Sequence, residues 1–228
     1  MNGSLVVVDD VPTAFAEFIA GRAEHKVVGE LSLAFSGGST ARRCYEELSR
    51  TSASRIEWSR FVAWWGDERC VPLDHPDSNY RLVEESLLKN VPPFSTLHPM
   101  RSDIDHPADA YDMLVSSSPP IDVIHLGLGP DGHTASLFPE SAALTAPPGR
   151  FVVRNIDPLG HNPHDRLTFT FAGIARCRSA VVTVEGAEKH EALCRVLDGD
   201  LSAPAARIEC DELIWIVDAA AMGERRDR

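Results

Sequence analysis

Eight short apolar runs, rich in Val, Ile, Phe and Trp, recur along the chain and predict strands. They span residues 5–8, 31–35, 61–65, 121–126, 151–153, 167–171, 180–184 and 213–217. Several of the segments between them have helical spacing, as in Phe15, Phe18 and Ile19 after Pro12. Strands that alternate with helices predict an α/β fold, with a mainly parallel sheet covered by helices on both faces.

The composition is that of an ordinary globular protein. The chain has 228 residues, of which 43% are hydrophobic and 25% charged, so we predict a single domain over residues 1–228. It contains no run of about 18 apolar residues to span a bilayer, and its N-terminus lacks the basic and apolar regions of a signal peptide. The sequence therefore predicts a cytoplasmic protein with no membrane partner.

The net charge limits the kinds of binding partner, and the cysteine content indicates the redox state of the thiols. A net charge of −12 argues against a nucleic-acid surface, because phosphate backbones are bound by clustered Lys and Arg. An anionic ligand would therefore need a local positive site. The five cysteines are scattered and form no Cys-x-x-Cys pair, which predicts reduced thiols.

The run at 31–35 leads directly into a double glycine and two hydroxyl side chains. Gly37 and Gly38 let the backbone approach a ligand closely, while Ser39 and Thr40 open a predicted helix whose first N–H groups can bind an anion. The segment lacks the Gly-Lys-Ser/Thr of a nucleotide-triphosphate loop. It therefore predicts either a phosphate site or an ordinary helix N-cap, and these residues alone leave both open.

A second group of polar residues follows the aromatic run at 61–65. Arg69 can pair with a phosphate or an oxyanion, and Asp67 or Glu68 can hold its guanidinium in place. The alternative is a structural salt bridge within this segment. Arg166 and Lys189 are further candidate cations, since one begins a predicted strand and the other a predicted helix. A solvated surface charge accounts for either of them equally well.

The run at 121–126 breaks into a glycine-rich loop, Gly127-Leu-Gly-Pro-Asp-Gly-His133. Its glycines match the dinucleotide-binding pattern Gly-x-Gly-x-x-Gly, but prolines interrupt the following segment and no acidic residue lies between Glu140 and Asp157. We therefore predict no nicotinamide or flavin cofactor. His133, with Asp131 two residues before it, is the candidate general base, whereas His125 is interpreted as a satisfied core residue.

Metal and serine-nucleophile chemistry receive little support from the sequence. His161 and His164 share one loop but lack a third ligand at recognisable spacing, so we predict no metal site. The chain also has no Gly-x-Ser-x-Gly segment, which would mark the usual serine hydrolase. Any hydrolysis is therefore expected to use an activated water molecule.

Three motifs occur in order along most of the chain. They are Phe35-Ser-Gly-Gly-Ser-Thr40, then Trp65-Gly-Asp-Glu-Arg-Cys-Val-Pro72 with Asp77-Ser-Asn79, and finally Gly127-Leu-Gly-Pro-Asp-Gly-His-Thr-Ala-Ser-Leu-Phe-Pro139. Together they resemble the 6-phosphogluconolactonase family, and Gly-His-Thr-Ala-Ser-Leu-Phe-Pro is the specific part. The resemblance implies a modified Rossmann-like α/β fold. It also implies hydrolysis of 6-phosphoglucono-δ-lactone to 6-phosphogluconate, in the oxidative branch of the pentose phosphate pathway, without a cofactor.

The resemblance also implies roles for individual residues. The catalytic histidine of the family falls on His133, and we place Asp131 and Arg69 beside it in the catalytic set. Substrate and phosphate contacts fall on Gly37, Gly38, Ser39, Thr40, Arg42, Arg166 and Lys189. Two positions depart from the usual wording of the family. Ala41-Arg42 stands in place of Pro-Lys, which preserves a charge, and His164-Asp165 stands in place of Pro-Pro.

Two other functions remain open. Glucosamine-6-phosphate deaminases resemble this chain in their phosphate loop, but Ile-Ala-Phe-Asn-Glu-Pro typically follows their histidine where Thr134-Ala-Ser-Leu-Phe-Pro139 stands here. A non-catalytic sugar-phosphate-binding protein would keep only the anion site, and the joint presence of His133, Asp131 and Arg69 argues against it. The expected partner is a small phosphorylated sugar lactone, and the protein is expected to be a monomer or a homodimer.

Overall fold

Ten strands and seven α-helices make up the computed structural model, which describes residues 2–26 and 28–223. The strands are β1 (Ser4–Val8), β2 (Leu31–Phe35), β3 (Phe61–Trp65), β4 (Asp67–Arg69), β5 (Thr96–His98), β6 (Val123–Gly127), β7 (Val152–Asn155), β8 (Arg166–Phe169), β9 (Ser179–Val184) and β10 (Glu212–Asp218). The helices are α1 (Val11–His25), α2 (Ser39–Ser52), α3 (Asn79–Val83), α4 (Pro107–Ser117), α5 (Phe171–Ala175), α6 (His190–Leu197) and α7 (Ala219–Met222). A π-helical turn, Glu84–Leu88, continues α3, and short 3₁₀ helices lie at Trp58–Arg60, Ala142–Thr145, Ala187–Lys189 and Pro204–Arg207.

Seven of the strands form one parallel sheet in the order β1-β10-β9-β6-β2-β3-β5. From β2 the chain proceeds to β3 and β5 on one side, and it later returns to place β6, β9 and β10 on the other. The sheet therefore has a switch point between β2 and β6, which is where open α/β sheets bind their ligands. The two strands pair only at Leu33 with Val123 and at Ala34 with Ile124, so they separate beyond Ala34.

The helices cover the two faces of this sheet. Crossovers between parallel strands are right-handed, so the connections that move from β1 to β2, β3 and β5 lie on one face. Helices α1 and α2 pack against each other there. The connections that run back through β6, β9 and β10 lie on the opposite face. The predicted α/β fold with a doubly covered parallel sheet is confirmed.

A second, antiparallel sheet has the order β4-β8-β7. The apolar runs at 151–153 and 167–171 were predicted strands, and both form strands here, but they belong to this smaller sheet. The sequence pattern did not reveal the short polar strand β4, which supplies their partner. The run at 167–171 also ends early, because the Thr170 side chain accepts a hydrogen bond from Gly173 N and begins α5.

One cluster of buried apolar side chains extends from Val11 to Ala221. The prediction of a single domain over residues 1–228 stays a prediction, and residues 1, 27 and 224–228 lie outside the described part of the chain. No helix within the described residues is both long and apolar enough to cross a bilayer.

Candidate active site

A cleft of about 190 Å³ opens at the carboxyl ends of β2, β3, β6 and β9. It therefore lies at the switch point of the parallel sheet. Among the predicted site residues, those that line it are Gly37, Gly38, Ser39, Thr40, Arg69, His133 and Lys189. Three segments far apart in sequence thus meet at one edge of the sheet, together with Lys189 from a fourth.

Both glycines between β2 and α2 disfavour a side chain, Gly37 for lack of space and Gly38 because of its positive φ. A Cβ on Gly37 would lie 1.9 Å from Oδ1 of Asn79, and Gly38 has a φ of 100°. Gly38 is the N-cap of α2 and provides no side-chain cap, so Ser39 and Thr40 lie in the first helical turn. Neither Ser39 nor Thr40 is therefore the N-cap residue. The first N–H groups of α2 have no acceptor within the helix and lie beside the cleft.

The His133 imidazole is held by Asp131. Nδ1 of His133 lies 2.6 Å from Oδ1 of Asp131, which also accepts a hydrogen bond of 3.1 Å from the His133 backbone N–H. Burial raises the pKa of Asp131, but the hydrogen bonds and charge of His133 outweigh it and bring the pKa below its ordinary value. Asp131 is thus a carboxylate and Nδ1 is the donor. The Nε2 atom has no hydrogen-bond partner among the described residues and remains available at the cleft.

Contacts on two sides fix the loop that carries His133 and Asp131. A Cβ on Gly129 would lie 2.1 Å from Nδ1 of His133, so the imidazole rests directly against the glycine backbone. From α6, Nη1 of Arg195 donates a 3.0 Å hydrogen bond to the carbonyl of Asp131. The Arg195 guanidinium is itself held by Asp200 at 2.9 Å. Sequence reasoning missed Arg195, because no motif links it to a loop 64 residues away.

Glu68 fixes the segment that carries Arg69. Its buried carboxylate accepts hydrogen bonds from the backbone N–H groups of Arg69, Asn79 and Tyr80, and from the Ser78 hydroxyl. Burial raises the pKa of Glu68 to about 6. The expectation that Asp67 or Glu68 holds the Arg69 guanidinium is wrong, because Glu68 binds the backbone instead.

Within the described part of the chain, the hydrogen-bond partner of the Arg69 guanidinium is a backbone carbonyl. Nη1 of Arg69 donates a hydrogen bond of 2.5 Å to the carbonyl of Asp77, and the guanidinium forms no salt bridge with any described residue. The alternative of a structural salt bridge is therefore wrong. The guanidinium therefore remains open to an anion at the cleft, although the carboxylates of Asp67 and Glu185 line the same cleft.

Arg166 lies directly opposite Arg69 in the antiparallel sheet. It is only 4% exposed, which excludes a solvated surface charge, and its buried Nη1 has no hydrogen-bond partner within the described residues. Burial, and next the charge of Arg69, lower the pKa of Arg166. Two facing cations cost free energy in the free protein, all the more because Arg166 is buried and incompletely paired. An anion bound between them would reduce this cost.

Asp67, Asn79 and Ser136 join the segments around the cleft. The buried Asp67 carboxylate accepts a hydrogen bond of 2.7 Å from the Ser136 hydroxyl and one of 3.2 Å from Nδ2 of Asn79. Ser136 follows His133 by three residues, so this link ties the histidine loop to the end of β3. Sequence reasoning quoted all three residues within motifs but assigned none of them this role.

Lys189 and Arg42 differ in their surroundings. Lys189 ends a 3₁₀ turn before α6 and lines the cleft. Arg42 lies outside the cleft lining, and its Nη2 is 3.4 Å from a carboxylate oxygen of Glu85. Of the two histidines weighed as metal ligands, His164 binds Asp77 at 2.9 Å. Among the described residues, no three His, Cys, Asp or Glu side chains are grouped to hold a metal ion.

The fold and the cleft define a class: Rossmann-like α/β proteins with a polar, cation-bearing site at the carboxyl ends of their parallel strands. Residues 8–215 match the family model described as glucosamine-6-phosphate isomerases/6-phosphogluconolactonase. The chain belongs to this family. The resemblance drawn from the three motifs is thereby confirmed.

Curated relatives agree with the family match. A 6-phosphogluconolactonase of Synechocystis sp. is 38% identical over 209 residues, which cover 85% of this chain and 84% of the relative. One from Nostoc sp. is 35% identical over 215 residues, which cover 87% and 86% of the two chains.

Solved structures agree as well. The 6-phosphogluconolactonase from Trypanosoma brucei has a TM-score of 0.79 at 27% identity and covers 96% of this chain and 97% of its own. A monomeric glucosamine-6-phosphate deaminase has a TM-score of 0.81 at 17% identity, and this shows a shared fold alone.

Proposed function

We propose that this protein is a carboxylic ester hydrolase that converts 6-phosphoglucono-δ-lactone to 6-phosphogluconate. The observation that carries the proposal is the His133–Asp131 pair, whose free Nε2 faces a cleft that also holds an anion-binding helix start. The relatives named 6-phosphogluconolactonase support the choice of substrate.

His133 acts as the general base in the proposed mechanism. Because Nδ1 donates to the Asp131 carboxylate, the neutral imidazole carries its lone pair on Nε2, toward the cleft. Nε2 takes a proton from water as the water oxygen attacks the lactone carbonyl carbon. The C–O bond to the ring oxygen then breaks, and the imidazolium returns its proton to that oxygen. Asp131 stabilises the imidazolium between these two steps.

Arg69 is the proposed donor to the oxyanion. The attack places a negative charge on the former carbonyl oxygen, and a fixed cation beside it stabilises the transition state more than the ground state. The Arg69 guanidinium suits this role because the Asp77 carbonyl holds it in place and no salt bridge to a described residue occupies it.

The phosphate is assigned to the other cations and to the helix start. Gly37 and Gly38 bring the backbone close, Ser39 and Thr40 offer N–H and hydroxyl donors, and Lys189 adds a charge at the cleft wall. Arg166 lies outside the cleft lining, but it faces Arg69 and has an unpartnered Nη1 among the described residues, so we assign it to this set as well. Arg42 is paired with Glu85 outside the cleft, so the proposal gives it no contact with substrate.

The proposed reaction needs water and no cofactor, and it belongs to the oxidative branch of the pentose phosphate pathway. We propose a cytoplasmic location, and we retain a monomer or homodimer as the oligomeric state.

The test is the rate of lactone opening above the spontaneous rate for the wild type and for His133→Ala. We expect His133→Ala to lose about 100-fold or more in kcat, because general-base catalysis contributes 10²–10⁴-fold. An alanine variant with nearly full activity at neutral pH would contradict the proposal. Ammonia release from glucosamine 6-phosphate would instead indicate the deaminase, and binding of 6-phosphogluconate without turnover would indicate a sugar-phosphate-binding protein.

A further inference from the structure

A chain of buried polar groups lies directly beneath the glycine loop. It consists of Ser36, Tyr45, His125 and Thr183, which come from the end of β2, from α2, from β6 and from β9. Sequence reasoning interpreted His125 as a satisfied core residue, and the structure confirms this, since it is 0% exposed and bonded at both ring nitrogens. None of these contacts takes part in the mechanism proposed above.

The Tyr45 hydroxyl makes the hydrogen bonds to Ser36 that a neighbouring strand would otherwise make. The ladder between β2 and β6 ends at Ala34, so the backbone of Ser36 receives no partner from β6. The Tyr45 hydroxyl accepts a hydrogen bond of 2.8 Å from the Ser36 N–H and donates one of 3.2 Å to the Ser36 carbonyl. One side chain thus holds both backbone groups of the residue immediately before Gly37.

His125 in turn holds Tyr45. Its Nδ1 lies 2.8 Å from the Tyr45 hydroxyl, and its Nε2 lies 2.9 Å from the Thr183 hydroxyl. Burial lowers the pKa of His125 to about 3, so the ring is neutral and has one donor and one acceptor. Rings of Phe15 at 4.2 Å and of Tyr45 at 5.4 Å pack against the imidazole and fix its place.

Only one tautomer satisfies every group. With the proton on Nδ1, His125 donates to Tyr45, Tyr45 donates to the Ser36 carbonyl, and Thr183 donates to Nε2. With the proton on Nε2, the single Tyr45 hydrogen must serve both Nδ1 and the Ser36 carbonyl. The first arrangement therefore forms a continuous chain from the Thr183 hydroxyl to the Ser36 backbone.

We propose that Tyr45 and His125 are positioning residues for phosphate binding. Gly37 and Gly38 restrain their own backbone poorly, so the loop needs an anchor at its start, and Tyr45 provides it. Thr183 lines the same cleft, which links the anchor to the wall from which Lys189 comes. The pair acts on affinity for the phosphate group and leaves the chemistry at the lactone carbonyl unchanged. This inference rests on the proposed function.

The main test is Tyr45→Phe, which keeps the ring packing and removes the hydroxyl. We expect KM for the phosphorylated lactone to rise about tenfold with kcat unchanged, because both backbone groups of Ser36 lose the hydroxyl that binds them. Hydrolysis of unphosphorylated glucono-δ-lactone should keep its wild-type kcat/KM. Calorimetry should show that the Kd values for 6-phosphogluconate and for inorganic phosphate rise by the same factor.

Tyr111→Phe is a matched control. Tyr111 is also buried, and its hydroxyl accepts a 3.0 Å hydrogen bond from Trp65 N–H and donates one of 2.8 Å to the His98 carbonyl. It thus joins β3 to β5 and makes no hydrogen bond to residues 36–38. Tyr111→Phe should lose comparable stability while keeping the wild-type preference for phosphorylated ligand.

His125→Gln is a second test. Its amide can still reach Thr183, but the substitution removes the Nδ1 group that donates to the Tyr45 hydroxyl, so it should weaken phosphate binding in the same selective way.

Two results would overturn the inference. One is an equal loss on both lactones in Tyr45→Phe, after correction for the fraction of folded enzyme. The other is an unchanged Kd for inorganic phosphate in both Tyr45→Phe and His125→Gln. The binding measurements do not require turnover. A wild type that fails to open the lactone would therefore refute the proposed function, and the Kd values would still decide this inference.

Discussion

Replacing Asp131 by Asn tests the His133–Asp131 pair, because it removes the charge while keeping a side chain of nearly the same size and shape. The amide keeps an oxygen that can accept from Nδ1 of His133, but it loses the negative charge 2.6 Å from the ring. A hydrogen bond to a charged group is worth about 1.5–3 kcal/mol, so kcat should fall about 10- to 150-fold. KM should change little, because Asp131 does not belong to the cleft lining.

The assay is the initial rate of lactone opening after subtraction of the spontaneous rate, measured over a range of substrate concentrations. The sharper experiment is a double-mutant cycle with His133→Ala. If Asp131 acts only through the imidazole, Asp131→Asn should have no further effect once His133 is absent. Additive losses in the double variant would refute this reasoning, as would a single variant whose kcat stays within twofold of wild type.

Three further substitutions test separate parts of the site. Arg166→Met should raise KM at least about tenfold while leaving thermal stability equal or higher, because it removes a buried and incompletely paired charge. Gly129→Ala should lower kcat about 100-fold by displacing the imidazole, whereas Gly21→Ala, with open space around its Cβ, should leave kcat unchanged. Glu68→Gln should cost about 1–3 kcal/mol in urea unfolding, since an amide nitrogen must face backbone donors; an unchanged free energy of unfolding would contradict this account.

The sequence predicted the parts of the site that follow directly from buried strands. The runs at 31–35 and 121–126 are mostly apolar, and the carboxyl ends of parallel strands meet at one edge. Gly37, Gly38 and His133 could therefore be placed near each other before any coordinates. The whole-chain pattern of alternating strands and helices was sufficient for the fold class.

The remaining features depend on contacts between distant segments. Strand β4 is polar and three residues long, so it has no hydrophobic signature of its own and exists through pairing with β8. The Ser136–Asp67 contact spans 69 residues, and the contact of Arg195 with the Asp131 carbonyl spans 64. The error about Arg69 has the same origin. A sequence shows that carboxylates are near Arg69, but not whether they bind its guanidinium or its backbone.

The distribution of charge gives these separate findings a common meaning. The chain carries a net charge of −12, yet Arg69, Arg166 and Lys189 form no salt bridge with any described residue. Arg154, close by in β7, is by contrast paired with Asp165.

Asp67 and Glu185 line the cleft as well, but the buried Arg166, which faces Arg69 and has an unpartnered Nη1 among the described residues, still costs stability in the free protein. A bound phosphate would recover that cost. Arg176 and Arg207 also form no salt bridge with a described residue, but neither lines the cleft, so a missing carboxylate partner indicates the site only together with the cleft that Arg69 and Lys189 line.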